Sequence, residues 1–113
     1  TGPLENHVLK NLLAVELAST ARTASTHLAK GQVPPAAAQL ERAYQLYQGM
    51  RSIMPGWWQD PELLLDSQVL GNYLAVLRQG QNLEFQPLAD SLRLAAHRKL
   101  LSTVNPNDNV GEP

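Results

Sequence analysis

Pro55-Gly56-Trp57-Trp58-Gln59-Asp60-Pro61-Glu62, near the middle of a chain of 113 residues, reads as the end of one helix and the start of another. Pro55 and Gly56 oppose helix continuation. Asp60 offers an N-cap oxygen, Pro61 a first-turn residue whose missing N–H costs nothing, and Glu62 a negative charge beside the positive dipole end. The same punctuation recurs on either side. Gly31-Gln32-Val33-Pro34-Pro35 divides the upstream half, and the segment from Gly80 to Pro87 divides the downstream half. Four helices are predicted, roughly over Pro3–Lys30, Pro34–Met54, Pro61–Gln79 and Pro87–Thr103.

Each stretch has its own apolar face. In the first, Leu4, Val8, Leu12, Leu17, Ala21, Ala24 and Leu28 step by three to five residues, and the alanines between Ala18 and Ala29 admit a partner helix at close range. The second carries Ala36, Leu40, Ala43, Tyr47, Met50 and Met54, and its short link to the first implies an antiparallel hairpin. The third is apolar over more than one stripe (Leu63, Leu64, Leu65, Val69, Leu70, Tyr73, Leu74, Val76, Leu77), which predicts a central position. The fourth turns Leu88, Leu92, Ala95, Ala96, Leu100 and Val104 inward and is expected to stop at Asn105-Pro106. No β alternation or hairpin turn competes with this pattern. The expected fold is all-α, a four-helix up-and-down bundle of two antiparallel hairpins, with residues 1–104 as one domain and 105–113 as a disordered tail.

An apolar fraction of 43% suits one core at this length, enough to bury roughly two-thirds of the unfolded surface. Nine basic and ten acidic side chains, distributed without runs, provide no electrostatic footprint for nucleic acid or an anionic membrane. The absence of cysteine excludes disulfides, zinc–thiolate sites and thiol catalysis while fitting reducing and oxidising compartments alike, so localisation is left undetermined. Runs such as Leu63-Leu64-Leu65 fall far short of the roughly 20 apolar residues that span a bilayer. A soluble chain without membrane insertion is expected. Its start on Thr1-Gly2-Pro3 and its polar close are those expected of a piece of a longer polypeptide.

Little here supports a reaction. His7, His27 and His97 lie on different helices, and none has a second ligand type at the i+3 or i+4 spacing that would place two metal ligands on one face. Glu62 and Asp66 share a face at i, i+4, but negative charge in a first turn is explained by the helix dipole. Nucleophile-elbow and phosphate-loop motifs are absent. The reading is no enzyme, no cofactor and no metal. Arg93, Arg98 and Lys99 gather positive charge late in the fourth helix and form a candidate anion contact, although cations also favour a helix C-terminus. Trp57 and Trp58, with Met54 and Tyr47, form the candidate protein-binding patch, since two adjacent loop indoles hardly fit a core together and exposed Trp is enriched in hot spots. The alternative for such a Trp is a plug at the open end of the bundle, with its N–H satisfied at the rim.

The order of motifs resembles the helical C-terminal region that follows the von Willebrand factor A domain in bacterial Ca-activated chloride channel-like proteins. The resemblance rests on the alanine-punctuated first helix, the turn Ala29-Lys-Gly-Gln, the second-helix run Ala36-Ala-Ala-Gln-Leu-Glu-Arg-Ala-Tyr-Gln-Leu, the restart Asp60-Pro-Glu-Leu-Leu and the late Ala96-His-Arg-Lys-Leu. It implies a module that packs beside or between von Willebrand factor A domains and serves assembly. The family's Asp-x-Ser-x-Ser metal motif is not matched by Asp66-Ser67-Gln68 or Asp90-Ser91-Leu92, so no functional residue carries over. The first hairpin also has tetratricopeptide character, in Gly31 followed by Ala36, Leu40 and Ala43.

The function expected from these features is a noncatalytic helical protein–protein interaction or assembly domain, its partner another protein or a second copy of the chain. Two alternatives compete with it. One is a tetratricopeptide-like adaptor holding a peptide between the first two helices. The other is a nucleic-acid or phosphate binder acting through the fourth helix.

Overall fold

The computed structural model describes the backbone of residues 3–110 and the side chains of residues 5–103. It contains four helices, α1 (Pro3–Ala29), α2 (Val33–Gly49), α3 (Pro61–Gln79) and α4 (Phe85–Val110), and no strand among the described residues. Cross-helix contacts run in opposite senses along neighbouring helices. Tyr47 and Gln48 of α2 meet Asp66 and Ser67 of α3, while Glu41 meets Arg78. Lys99 of α4 meets Asp66, while Ser91 meets Tyr73. The fold is therefore the expected all-α up-and-down bundle.

Local chemistry fixes the boundaries. At the end of α1, Gly31 adopts φ 73°, which lets its N–H reach the Leu28 carbonyl at 2.9 Å while the Gln32 N–H reaches the His27 carbonyl at 2.9 Å. Two orphan carbonyls are thereby satisfied in the Schellman pattern. At α3, the Asp60 carboxylate accepts from the N–H groups of Glu62 and Leu63 at 3.0 and 3.2 Å, as an N-cap should. The end of α2 departs from expectation, since the helix stops at Gly49 and the chain tightens into short 3₁₀ turns over Met50–Ser52 and Trp57–Gln59. Met54 lies in the turn between them, where it is buried. At the other end of the molecule α4 begins at Phe85, before Pro87, because a proline anywhere in a first turn forfeits no helical bond. It also continues past Asn105-Pro106 to Val110, since a proline removes one i to i−4 bond without obliging the backbone to leave the helical region. The side chains from 104 onward, Val104 included, and the last part of the expected tail lie outside the described residues.

Two packing expectations are corrected. On α1 the inward stripe in its first half is Leu9, Leu13 and Leu17, with Leu13 buried and Leu12 61% exposed. Stepping back by fours from Leu17 gives 13 and 9, whereas the predicted Val8 and Leu12 lie about 100° round the helix, where they are exposed. Nor is α3 central. Close helix contacts follow the order α4, α1, α2, α3, and the backbones of α3 and α4 stand farther apart. Ala18, Ala21 and Ala24 of α1 are buried alongside Ala36 and Ala43 of α2 and Ala89 and Ala96 of α4, so these helices approach closely. In contrast α3 contributes Leu63, Leu70, Leu74 and Leu77 to the core and leaves Leu64, Leu65, Val69 and Val76 exposed. On the side facing α4, its long side chains hold the two backbones apart. The buried Ser25 hydroxyl donates to the Ala89 carbonyl at 2.7 Å, tying α1 to the start of α4.

Candidate functional site

The predicted aromatic patch is divided between core and surface. Tyr47, Met54 and Trp57 are buried, and Trp58 alone of the four is exposed, at 58%. This corrects the expectation of an exposed cluster. The two indoles do part company, because the 3₁₀ turn carrying them points Trp57 into the end of the bundle while Trp58 packs edge-on against it, 5.2 Å between centroids. The Arg51 guanidinium covers the Trp58 ring at 3.9 Å, a cation–π contact. Trp57 is thus the plug of the alternative reading, except that its Nε1 is buried with no hydrogen-bond partner among the described residues.

The predicted basic trio is not one patch. Arg93 lies 3.9 Å from Asp90 and shares a shallow hollow with Arg22, Thr26 and His97 on the α1/α4 face. Arg98 and Lys99 line the opposite side of α4, toward α3. Lys99 is spoken for: its ammonium sits 2.6 Å from Asp66 and 2.9 Å from Glu62. His7 and His27 are engaged locally by Asn11 and Gln32.

Lys99 opens a network that sequence reasoning missed. The Tyr47 hydroxyl donates to Asp66 at 3.0 Å, Lys10 joins Glu62 at 3.1 Å and Asp60 at 2.8 Å, and so α1, α2, α3 and α4 meet around the first turns of α3. The side chains of Lys99 and Asp66 are only 12% and 14% exposed. Burial pushes the Asp66 carboxyl above its ordinary value even with Lys99 beside it. Burial would lower the Lys99 ammonium, but the hydrogen bonds and charges of Asp66 and Glu62 outweigh it and hold it raised. The hydrogen bond from Lys99, with a further one from Lys10, keeps Glu62 below its ordinary value. Burial and the neighbouring Asp66 charge raise the Tyr47 phenol. A lysine and a tyrosine raised in this way hold their protons at neutral pH, and the cluster latches the four helices together around the start of α3. One signal for it was present in the sequence: Asp66 and Tyr47 both fall at positions beside inward-facing apolar stripes, where a carboxylate demands a partner.

Beside the latch, α3 and α4 enclose a slot of about 350 Å³, floored by Leu17 and Ala21 of α1 and walled by Leu65, Val69 and Leu70 on one side and Leu92 and Ala96 on the other. Hydrogen-bonded Tyr73 and Ser91 cross the same seam farther along. No three His, Asp or Glu side chains gather as a metal-ligand set among the described residues. No helix among them is long and apolar enough to cross a membrane. Comparison of the chain with family models, with curated proteins and with solved structures gave no match.

Proposed function

We propose that the chain is a noncatalytic interaction module that receives a partner helix on the outer face of α3. The observation that carries this reading is that α3 is apolar on two faces: opposite its buried leucines, Leu65, Val69 and Val76 lie exposed at i, i+4 and i+11. That spacing presents one stripe of anchors to an amphipathic helix. Trp58, Leu64 and Arg51 extend the surface past the start of α3. The resemblance of its motif order to the helical region following von Willebrand factor A domains is in keeping with a role in assembly. Peptide capture between α1 and α2 draws no support from a pair of helices brought together through small buried side chains. Photocrosslinking in the native host tests the reading, with the reactive group placed at Val76 and, as a control, at Thr23 on the outer face of α1. Discrete adducts at Val76 and none at Thr23 are expected, and a self-adduct would identify the partner as a second copy. Equal labelling at both positions, or none at Val76, overturns it.

A further inference from the structure

The slot between α3 and α4 borders the outer face of α3 at Leu65 and Val69 and has chemistry of its own. Its volume of about 350 Å³ lies within the small-ligand range of about 300 to 1,000 Å³. Its lining is hydrocarbon along the floor of Leu17 and Ala21 and the walls of Leu65, Val69, Leu70, Leu92 and Ala96. Both ends are crossed by polar links, Lys99 to Glu62 and Asp66 at one and Tyr73 to Ser91 at the other. Between Asp66 and Tyr73 the helix advances about 10 Å. These crossings keep a helix, itself about 10 Å wide, away from the floor. A single unbranched chain can lie between them.

The polar groups at the slot narrow the choice of occupant. Lys99 is committed to Asp66 and Glu62, Tyr73 is committed to Ser91, and the Ser102 hydroxyl donates to the Lys99 carbonyl at 2.7 Å. Arg98, exposed at the slot's edge, has no hydrogen-bond or ion-pair partner among the described residues. A guanidinium presents a planar fork of donors that a carboxylate satisfies with two parallel hydrogen bonds. We propose that this slot binds an unbranched amphiphile with one anionic head, of the medium-chain alkyl carboxylate class, its tail between the Leu70 wall and the Leu92 and Ala96 wall and its head on Arg98. The slot shares Leu65 and Val69 with the proposed partner-helix stripe, and what sets this assignment apart is the head contact at Arg98, which lies outside that stripe.

Titration of the full chain with decanoate, decanol and decylamine, followed by calorimetry and methyl NMR, tests it. Decanoate is expected to bind saturably at one site, to shift the Leu70, Leu92 and Ala96 methyls, and to bind more tightly than the other two. Arg98→Gln should weaken decanoate about tenfold, as loss of a charge-assisted hydrogen bond does, and leave decanol unchanged. Val69→Trp should obstruct decanoate and decanol alike; if it lowers the thermal midpoint, the smaller obstruction Ala95→Leu from the α4 side replaces it. No saturable binding, shifts confined to another part of the bundle, or decylamine binding as tightly as decanoate with Arg98→Gln silent would overturn the proposal. Crosslinking at Val76 would be unaffected by that failure.

Discussion

Lys99 of α4 reaches Asp66 of α3 at 2.6 Å across the seam where these two helix backbones stand apart. The α1/α2 and α1/α4 seams are closed by alanines and leucines in contact, whereas this one is bridged by charge and hydroxyl groups over an apolar slot. Bridging leaves space between the helices that close packing would remove.

Removing one partner of a pair this buried strands the other in low dielectric. Lys99→Met should therefore destabilise the fold by about 3 kcal/mol, while the double variant Lys99→Met/Asp66→Leu recovers most of the loss. Urea unfolding of the four members of the cycle measures it. A single variant as stable as the parent would deny the latch any structural role.

The latch sets a direction for pH dependence. Lys99 and then Lys10 hydrogen bonds hold Glu62 below 4.5, and hydrogen bonds from Lys10 and backbone N–H groups, outweighing burial, hold Asp60 below 3.8. A depressed carboxyl contributes stability above its unfolded value and loses it as pH falls through its folded value, so the acid limb should lie below those two figures. Asp66, raised by burial, acts in the opposite sense and softens that limb. Lys10 and Lys99 are raised above 10.5, so their contribution is complete below that value and is lost as pH climbs through their folded values. Unfolding midpoints should therefore be flat through neutrality, and Glu62→Gln should flatten the acid limb. An acid limb unchanged by Glu62→Gln would mean that other groups govern it.

The two tryptophans should separate cleanly on truncation. Trp57→Ala removes a buried ring and should cost about 3 to 5 kcal/mol, whereas Trp58→Ala should stay within about 0.5 kcal/mol apart from its stack with Arg51. Thermal or denaturant unfolding compares them directly. Equal losses would contradict the burial difference between these adjacent residues.

Asp60 serves two partners, and two substitutions resolve them. Asp60→Asn retains a capping oxygen and gives up the charge facing Lys10; Asp60→Ala gives up both and should cost about 1 to 2 kcal/mol, the larger loss. If the two variants prove equally stable, the side chain is not acting as the N-cap of α3.

Gly71 sits inside α3, and a Cβ there would lie 3.6 Å from the Tyr44 ring, an ordinary contact. Gly71→Ala should stabilise the protein by about 0.5 to 1 kcal/mol, because alanine loses less backbone freedom in a helix. A destabilised variant would show that the α2/α3 contact at Tyr44 has no room to accept a methyl group.

Helix number, order and most boundaries were legible because their causes are local. Asp60 caps the helix that its own sequence neighbours form, and Gly31 turns the chain using carbonyls only a few residues back. The Ala36, Leu40, Ala43 and Tyr47 stripe was legible for the same reason, since a continuous period fixes a face. The α1 stripe was misread where apolar residues at 8, 9, 12 and 13 gave two overlapping periods, and only the contacts with neighbouring helices chose between them. At the candidate site, Glu62 and Asp66 were visible as a pair on one face, but Lys10 and Lys99 lie on other helices and carry no sequence mark of their destination.

The sequence by itself determined that four amphipathic helices form and turn back on one another, because caps, prolines and apolar periods act within a few residues. Tertiary structure alone decided that α3 lies at the edge with a second apolar face outward, that Trp57 is buried while Trp58 is exposed, and that Lys99 closes on Asp66. Those outcomes depend on how near two helices can come. Side-chain bulk summed over a whole interface sets that distance, and no single stretch of the chain contains it.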